Sequence, residues 1–159
     1  MVQQFPAWTQ KSANGQVRTY TSDYFAYNIG PGANGAIGNL AAAATAQQPL
    51  MFQSDSYFEA WYITYSAMLD GATEPDVDNI FCPVTVFIAD AGSGKQLMNQ
   101  VVPLSQIAGP AREPFMLPGR RIFLPTSTVT FTFNNPDSTQ WNNISLTFHG
   151  RKIFDITRN

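Results

Sequence analysis

The clearest pattern along the chain runs through Thr128-Val129-Thr130-Phe131-Thr132-Phe133, where apolar and hydroxyl side chains alternate without a break. Side chains in a strand point to opposite faces in turn, so Val129, Phe131 and Phe133 line one face and the threonines the other. Ile144-Ser145-Leu146-Thr147-Phe148-His149 repeats the code, and Asn134-Asn135-Pro136-Asp137-Ser138 between them is turn chemistry. Two such strands cannot bury their apolar faces alone, which predicts a second sheet packed over them.

The rest of the chain reads the same way. Arg18 to Ile29 alternates and is dense in Tyr, Thr and Phe; Tyr57 to Leu69 carries close-set aromatics without a helical stripe. Val84 to Ala89, Gln96 to Val102 and Arg120 to Leu124 are further strand candidates. Gly30 to Gly35, Asp70-Gly71 and Ala91 to Lys95 supply turns. Residues 103–118 hold four prolines and Gly109, which predicts a long structured loop. Residues 36–48 read as an extended segment of small side chains, with a short helix over the alanine run as the alternative. Residues 1–15 show no period and read as an N-terminal arm, with Phe5 and Trp8 as its anchors. The expectation is therefore an all-β chain: an arm over 1–15, then one antiparallel β-sandwich over 16–159, a single jelly roll of about eight strands.

Composition bears on partners. Charged residues make up 13% of the 159, about half the usual ~25%. Thr, Ser, Asn and Gln take their place, which suits a surface that packs against neighbours. The net charge of −2 gives no sign of nucleic acid or of a membrane surface. Its distribution is uneven: residues 1–79 hold two basic and seven acidic side chains, whereas residues 80–159 hold seven basic and four acidic. Such asymmetry can steer contacts between copies or with another protein. Cys82, the one cysteine, reads as a buried small hydrophobe, and the first residues lack the basic and apolar regions of a secretory signal.

No catalytic or cofactor-binding constellation emerges, and the expectation is a protein that is not an enzyme, with no cofactor and no metal. Gly92-Ser93-Gly94-Lys95 resembles a phosphate loop, but Ala89 and Gln96 stand where the motif needs Gly and Ser or Thr. His149 is the single histidine, on the outward face of its strand, and one imidazole builds neither a His-based metal triad nor a catalytic one without partners. Asp70, Glu74, Asp76 and Asp78 form an acidic loop that lacks the Gly and distal Glu of a calcium loop. Arg120, Arg121, Arg151, Lys152 and Arg158 form one basic patch if the strands beginning at Arg120 and ending near Lys152 reach the same end of a sheet. Phe5, Trp8, Arg120, Arg121, Arg151 and Lys152 are accordingly the candidate partner-binding residues.

Pro114-Phe115-Met116-Leu117-Pro118, Arg121-Ile122-Phe123-Leu124-Pro125, the Thr128–Phe133 strand and Phe148-His149-Gly150-Arg151-Lys152-Ile153-Phe154 together resemble small virion proteins of tailed bacteriophages. The resemblance implies a structural subunit made in the host cytoplasm and located in the virion. It would be a decoration or cement protein on the major capsid protein or neighbouring virion proteins, associating with copies of itself. A neck, collar or tail adaptor subunit is the alternative role, and a carbohydrate-binding jelly-roll module the alternative class.

Overall fold

A computed structural model describes residues 4–33, 36–72, 82–90 and 98–157. Among them are ten strands and one short helix: β1 (Gln4–Lys11), β2 (Val17–Ile29), β3 (Gly38–Leu40), β4 (Thr45–Met51), β5 (Tyr57–Leu69), β6 (Thr85–Asp90), β7 (Val102–Pro103), α1 (Leu104–Ile107), β8 (Phe115–Phe123), β9 (Thr128–Asn134) and β10 (Trp141–Asp155). The first sheet runs β1-β2-β10-β5-β8, with β3 also on β10; the second runs β4-β9-β6-β7. Every pairing between named strands is antiparallel.

With β1 and β3 set aside, the remaining eight strands are nested. β2 pairs with β10, β4 with β9, β5 with β8, and β6 with β7. First meets eighth, second meets seventh, and so inward: a long antiparallel ribbon rolled so that its two halves face each other. This is the jelly-roll wind, and the expected all-β sandwich is the observed one.

The two alternating strands lie at the heart of it, one in each sheet. β9 is flanked by β4 and β6, and β10 by β2 and β5. Val129, Phe131 and Phe133 from one side, with Ile144, Leu146 and Phe148 from the other, are buried, and the rings of Phe131 and Phe148 meet with centroids 5.8 Å apart. Towards one end the core turns aromatic. Phe52 stacks on Phe123 at 4.4 Å, and Tyr27 sits edge-on to Phe52 and Phe58 at 4.9 and 4.8 Å. Cys82 is buried as expected, and burial pushes its thiol up to about 11.

Two segments differ from the sequence expectation. Residues 4–11, expected to lie in an aperiodic arm, form edge strand β1. They bond to β2 with a register shift between Phe5 and Trp8, which is why no clean alternation shows in the sequence. Residues 115–123, split in the sequence between a proline-rich loop and a strand, form one strand, β8. Its register jumps between Met116 opposite Tyr62 and Arg121 opposite Ala60, so Pro118 sits where no ladder bond is required. Residues 36–48 are extended, not helical. Ala43 turns the chain at φ 53°, and its N–H donates to the Asp137 carbonyl at 3.0 Å. The turn after β9 hinges on Asn135, fully buried, whose amide donates to the carbonyls of Ala41 at 3.0 Å and Thr139 at 2.8 Å.

Phe131 is fully buried at the centre of the second sheet, whereas Thr130 and Thr132 lie on its outer face. Phe131→Ala should lower the unfolding free energy by about 4 kcal/mol and Thr132→Ala by under about 1 kcal/mol, read from urea denaturation. Equal effects would disprove the assignment of the two faces.

Candidate functional site

The outer face of the first sheet carries a cluster organised by one carboxylate. Glu59, on β5, is the only charged residue in that thirteen-residue strand. Its side chain is 6% exposed. The Arg151 Nε donates to Glu59 Oε2 at 2.6 Å, the Trp61 indole N–H donates to the same oxygen at 3.2 Å, and Arg120 donates to Oε1 at 3.4 Å. Burial pushes the Glu59 carboxyl up, but hydrogen bonds from Arg151 and Trp61 and the charges of Arg151 and Arg120 outweigh it and hold the carboxyl below its ordinary range.

Local sequence makes this geometry possible. β5 has one residue more than β10 at this level: Ala60 opposes Gly150 and Tyr62 opposes His149, so Trp61 is the extra residue of a bulge. The bulge keeps two successive rings, Trp61 and Tyr62, on the outer face. Gly150 lets the strands close up, since a Cβ there would lie 1.9 Å from the Glu59 carbonyl oxygen. Arg151, next along, then sits directly opposite Glu59.

Aromatic side chains cover the ion pair. The Arg151 guanidinium lies 5.1 Å from the Trp8 ring centre and 6.0 Å from that of Trp61. Trp8 stacks on Tyr20 at 5.8 Å, and Phe5 meets Trp61 edge-on at 6.2 Å. Further along the same face, His149 bonds through Nδ1 to the Tyr24 hydroxyl at 2.7 Å and through Nε2 to Thr64 Oγ1 at 2.9 Å, and it stacks on Tyr62 at 4.5 Å. Burial lowers the pKa of His149, so the neutral ring is the favoured form.

Of the six side chains that the sequence assigns to a partner contact, four converge here: Phe5, Trp8, Arg120 and Arg151. The arm residues Phe5 and Trp8 anchor on their own sheet. Arg121 and Lys152 are elsewhere, because neighbours along a strand point to opposite faces. Arg121 lies over the Phe123 ring at 5.7 Å and reaches Asp90 of the second sheet at 3.9 Å. Lys152 is buried, bound to Gln53, 3.6 Å from Asp55 and 4.3 Å from the Phe25 ring centre, so it closes one end of the sandwich and offers no surface charge. The single basic patch is therefore corrected: β8 and β10 are not neighbours, β5 lies between them, and Arg120 and Arg151 meet only because both reach Glu59. Asp70 accepts a hydrogen bond from Asn142 at 2.8 Å. Glu74, Asp76, Asp78, Gly92 to Lys95 and Arg158 lie outside the described residues. Among the described residues no group of three or more His, Cys, Asp or Glu is placed to hold a metal ion.

Sequence reasoning missed Glu59, Trp61 and the Tyr24–His149–Tyr62 set. The available signal was Glu59 itself, a lone carboxylate inside an aromatic strand, which must find a cation or stay at the surface.

Removing Glu59 leaves two guanidinium groups without their shared acceptor. Glu59→Ala should destabilise the fold by about 3 kcal/mol, and Arg120→Ala, at a side chain 69% exposed, by under about 1 kcal/mol. Chemical denaturation of the two variants tests the ranking, and a reversed order would remove Glu59 from the centre of the cluster. His149 gives a pH signature. Its pKa is lower folded than unfolded, so its contribution is whole above about pH 6.5 and is lost as the pH falls towards the folded value. The slope of stability between roughly pH 7 and 5.5 should flatten in His149→Gln. A slope unchanged by the substitution would assign the effect to other groups.

No protein-family model and no curated protein matches this chain, so its function has to be read from the geometry and the residues themselves.

Proposed function

We propose that the protein is a non-enzymatic structural subunit of a tailed-phage virion, bound to the capsid shell as a decoration or cement protein and associated with copies of itself. The observation that carries the structural role is the edge of the first sheet. β8 ends the sheet, and no other described strand pairs along its far side. Met116 and Ile122 on this strand, with Leu124 just after it and Met51 at the end of β4, are each more than half exposed. Arg120, Arg121, Pro118 and the register jump blunt part of this edge, but exposed apolar side chains of this size beside it mark a place where another chain can pack. The tailed-phage setting comes from the resemblance of residues 114–154, and the low charge of the surface agrees with a protein held among neighbours. In the outer-face cluster, Glu59 is engaged by Arg151, Trp61 and Arg120, and His149 by Tyr24 and Thr64. A neck, collar or tail adaptor position is compatible with the same edge.

A second reading, a carbohydrate-binding module, is favoured by the aromatic band Trp8, Tyr20, Tyr24 and Tyr62 across the outer face. Peptide mass spectrometry of purified virions separates the two. The virion role requires the chain in multiple copies per particle, and its absence from virions, together with a positive glycan array, would replace that role with sugar binding. The double variant Met116→Glu, Ile122→Glu should fold normally and be lost from assembled particles. Undiminished incorporation would discard β8 as the contact.

A further inference from the structure

A cleft of about 380 Å³ opens between the two sheets beside β8. It lies away from the Glu59 cluster, and its walls are Ile63, Ile88, Ile107, Leu117, Phe123 and Phe148. Apolar clefts of this size fall in the range that takes small organic molecules. The register jump of β8 exposes the cleft: Leu117, Pro118 and Gly119 swing out of the ladder with β5 and form its rim.

Among the described residues the rim carries one cation. The Arg121 guanidinium, on a side chain 44% exposed, spans from the first sheet towards Asp90 on β6 in the second, with 3.9 Å between nitrogen and oxygen. That separation is a contact of charges and too long for a hydrogen bond, so Asp90 leaves the N–H fork of Arg121 able to take a second acceptor. Stacking over Phe123 holds the guanidinium at the mouth. An apolar channel closed by a fixed guanidinium fits a molecule with an apolar tail and a small planar anionic head, because a carboxylate meets the fork in two parallel bonds.

We infer that this cleft is a binding site for a single-chain amphiphilic carboxylate of the fatty-acid class, with its chain between the sheets and its head on Arg121. The site is independent of the virion role proposed above. Such a ligand would link β8 to β6 across the open side of the sandwich, beside the Arg121–Asp90 charge contact, and so stabilise that edge.

Isothermal titration of the intact protein with decanoate and with 1-decanol tests the inference. Decanoate should bind saturably at one per chain and raise the melting temperature. Arg121→Gln should weaken decanoate about tenfold while leaving 1-decanol unchanged, since it removes a charged hydrogen-bond donor and no apolar wall. Ile107→Trp and Leu117→Trp, at two half-buried wall positions, fill the cleft from different sides and should abolish binding of both; thermal melts establish that each variant is folded. No saturable decanoate binding by the wild-type protein would overturn the site. Equal affinity of wild type and Arg121→Gln, or binding that survives both tryptophan variants, would overturn it too. Protection of β8 from hydrogen exchange in a self-associated form that takes up no decanoate would assign the cleft to a second copy of the chain and reject the ligand.

Discussion

The double pairing of β10 is the constraint on which the rest of the structure depends. A strand between two others has both rows of backbone groups satisfied, so its two faces are free to do different things. On the inner face Ile144, Leu146 and Phe148 supply the middle of the core. On the outer face Thr147, His149 and Arg151 are fixed at strand spacing and reach the side chains of both neighbours: Asn28 and Tyr24 on β2, Thr64 and Glu59 on β5. Core and surface cluster are thus two readings of one strand. A displacement of β10 by one residue would exchange them and send Arg151 into the sandwich.

Glu59 shows which of several favourable contacts sets the balance. Taking a carboxylate out of water costs several kcal/mol, and a salt bridge at the surface returns under about 1 kcal/mol. Arg120 is mostly exposed and cannot offset the cost. Arg151, with a side chain 20% exposed and a 2.6 Å bond, together with the indole N–H of Trp61, can. The aromatic cover of Trp8 and Phe5 keeps water from the pair and strengthens it. The edge strand β1 therefore contributes to the site by shielding, although neither of its rings touches the carboxylate through a polar atom.

The period-two pattern made the faces legible. It placed Val129, Phe131 and Phe133 inside, His149 outside, and led to a sandwich of the right class. It could not say which strands lie side by side, because alternation specifies a strand's faces and leaves its neighbours open. Arg120 and Arg151 therefore read as part of one patch with Arg121 and Lys152, although the first two share the outer face at Glu59 and the other two point to the inner face. It also explains the arm: bulges in β1 and β8 break the alternation that marks a strand, and Pro118 tolerates β8 only because the bulge removes the need for its N–H. Phe5 and Trp8 were recognisable as anchors, but their partners Trp61 and Tyr20 come from strands remote in sequence. Glu59 was visible as an oddity, and its meaning lay in β10, some ninety residues away.

The nesting of the strands also fixes when the protein can become itself. β10 emerges from the ribosome after both β2 and β5, yet it separates and bonds to both. Until it arrives, β2 and β5 each have an open edge and no centre to the sheet between them. The pairs that do not need it, β1 with β2, β6 with β7, β5 with β8, and β9 with β4 and β6, can close earlier. A roll wound from its middle outward gains most of its cooperativity at the last step, and the nascent chain must keep an aromatic, charge-poor sequence from pairing with others until then.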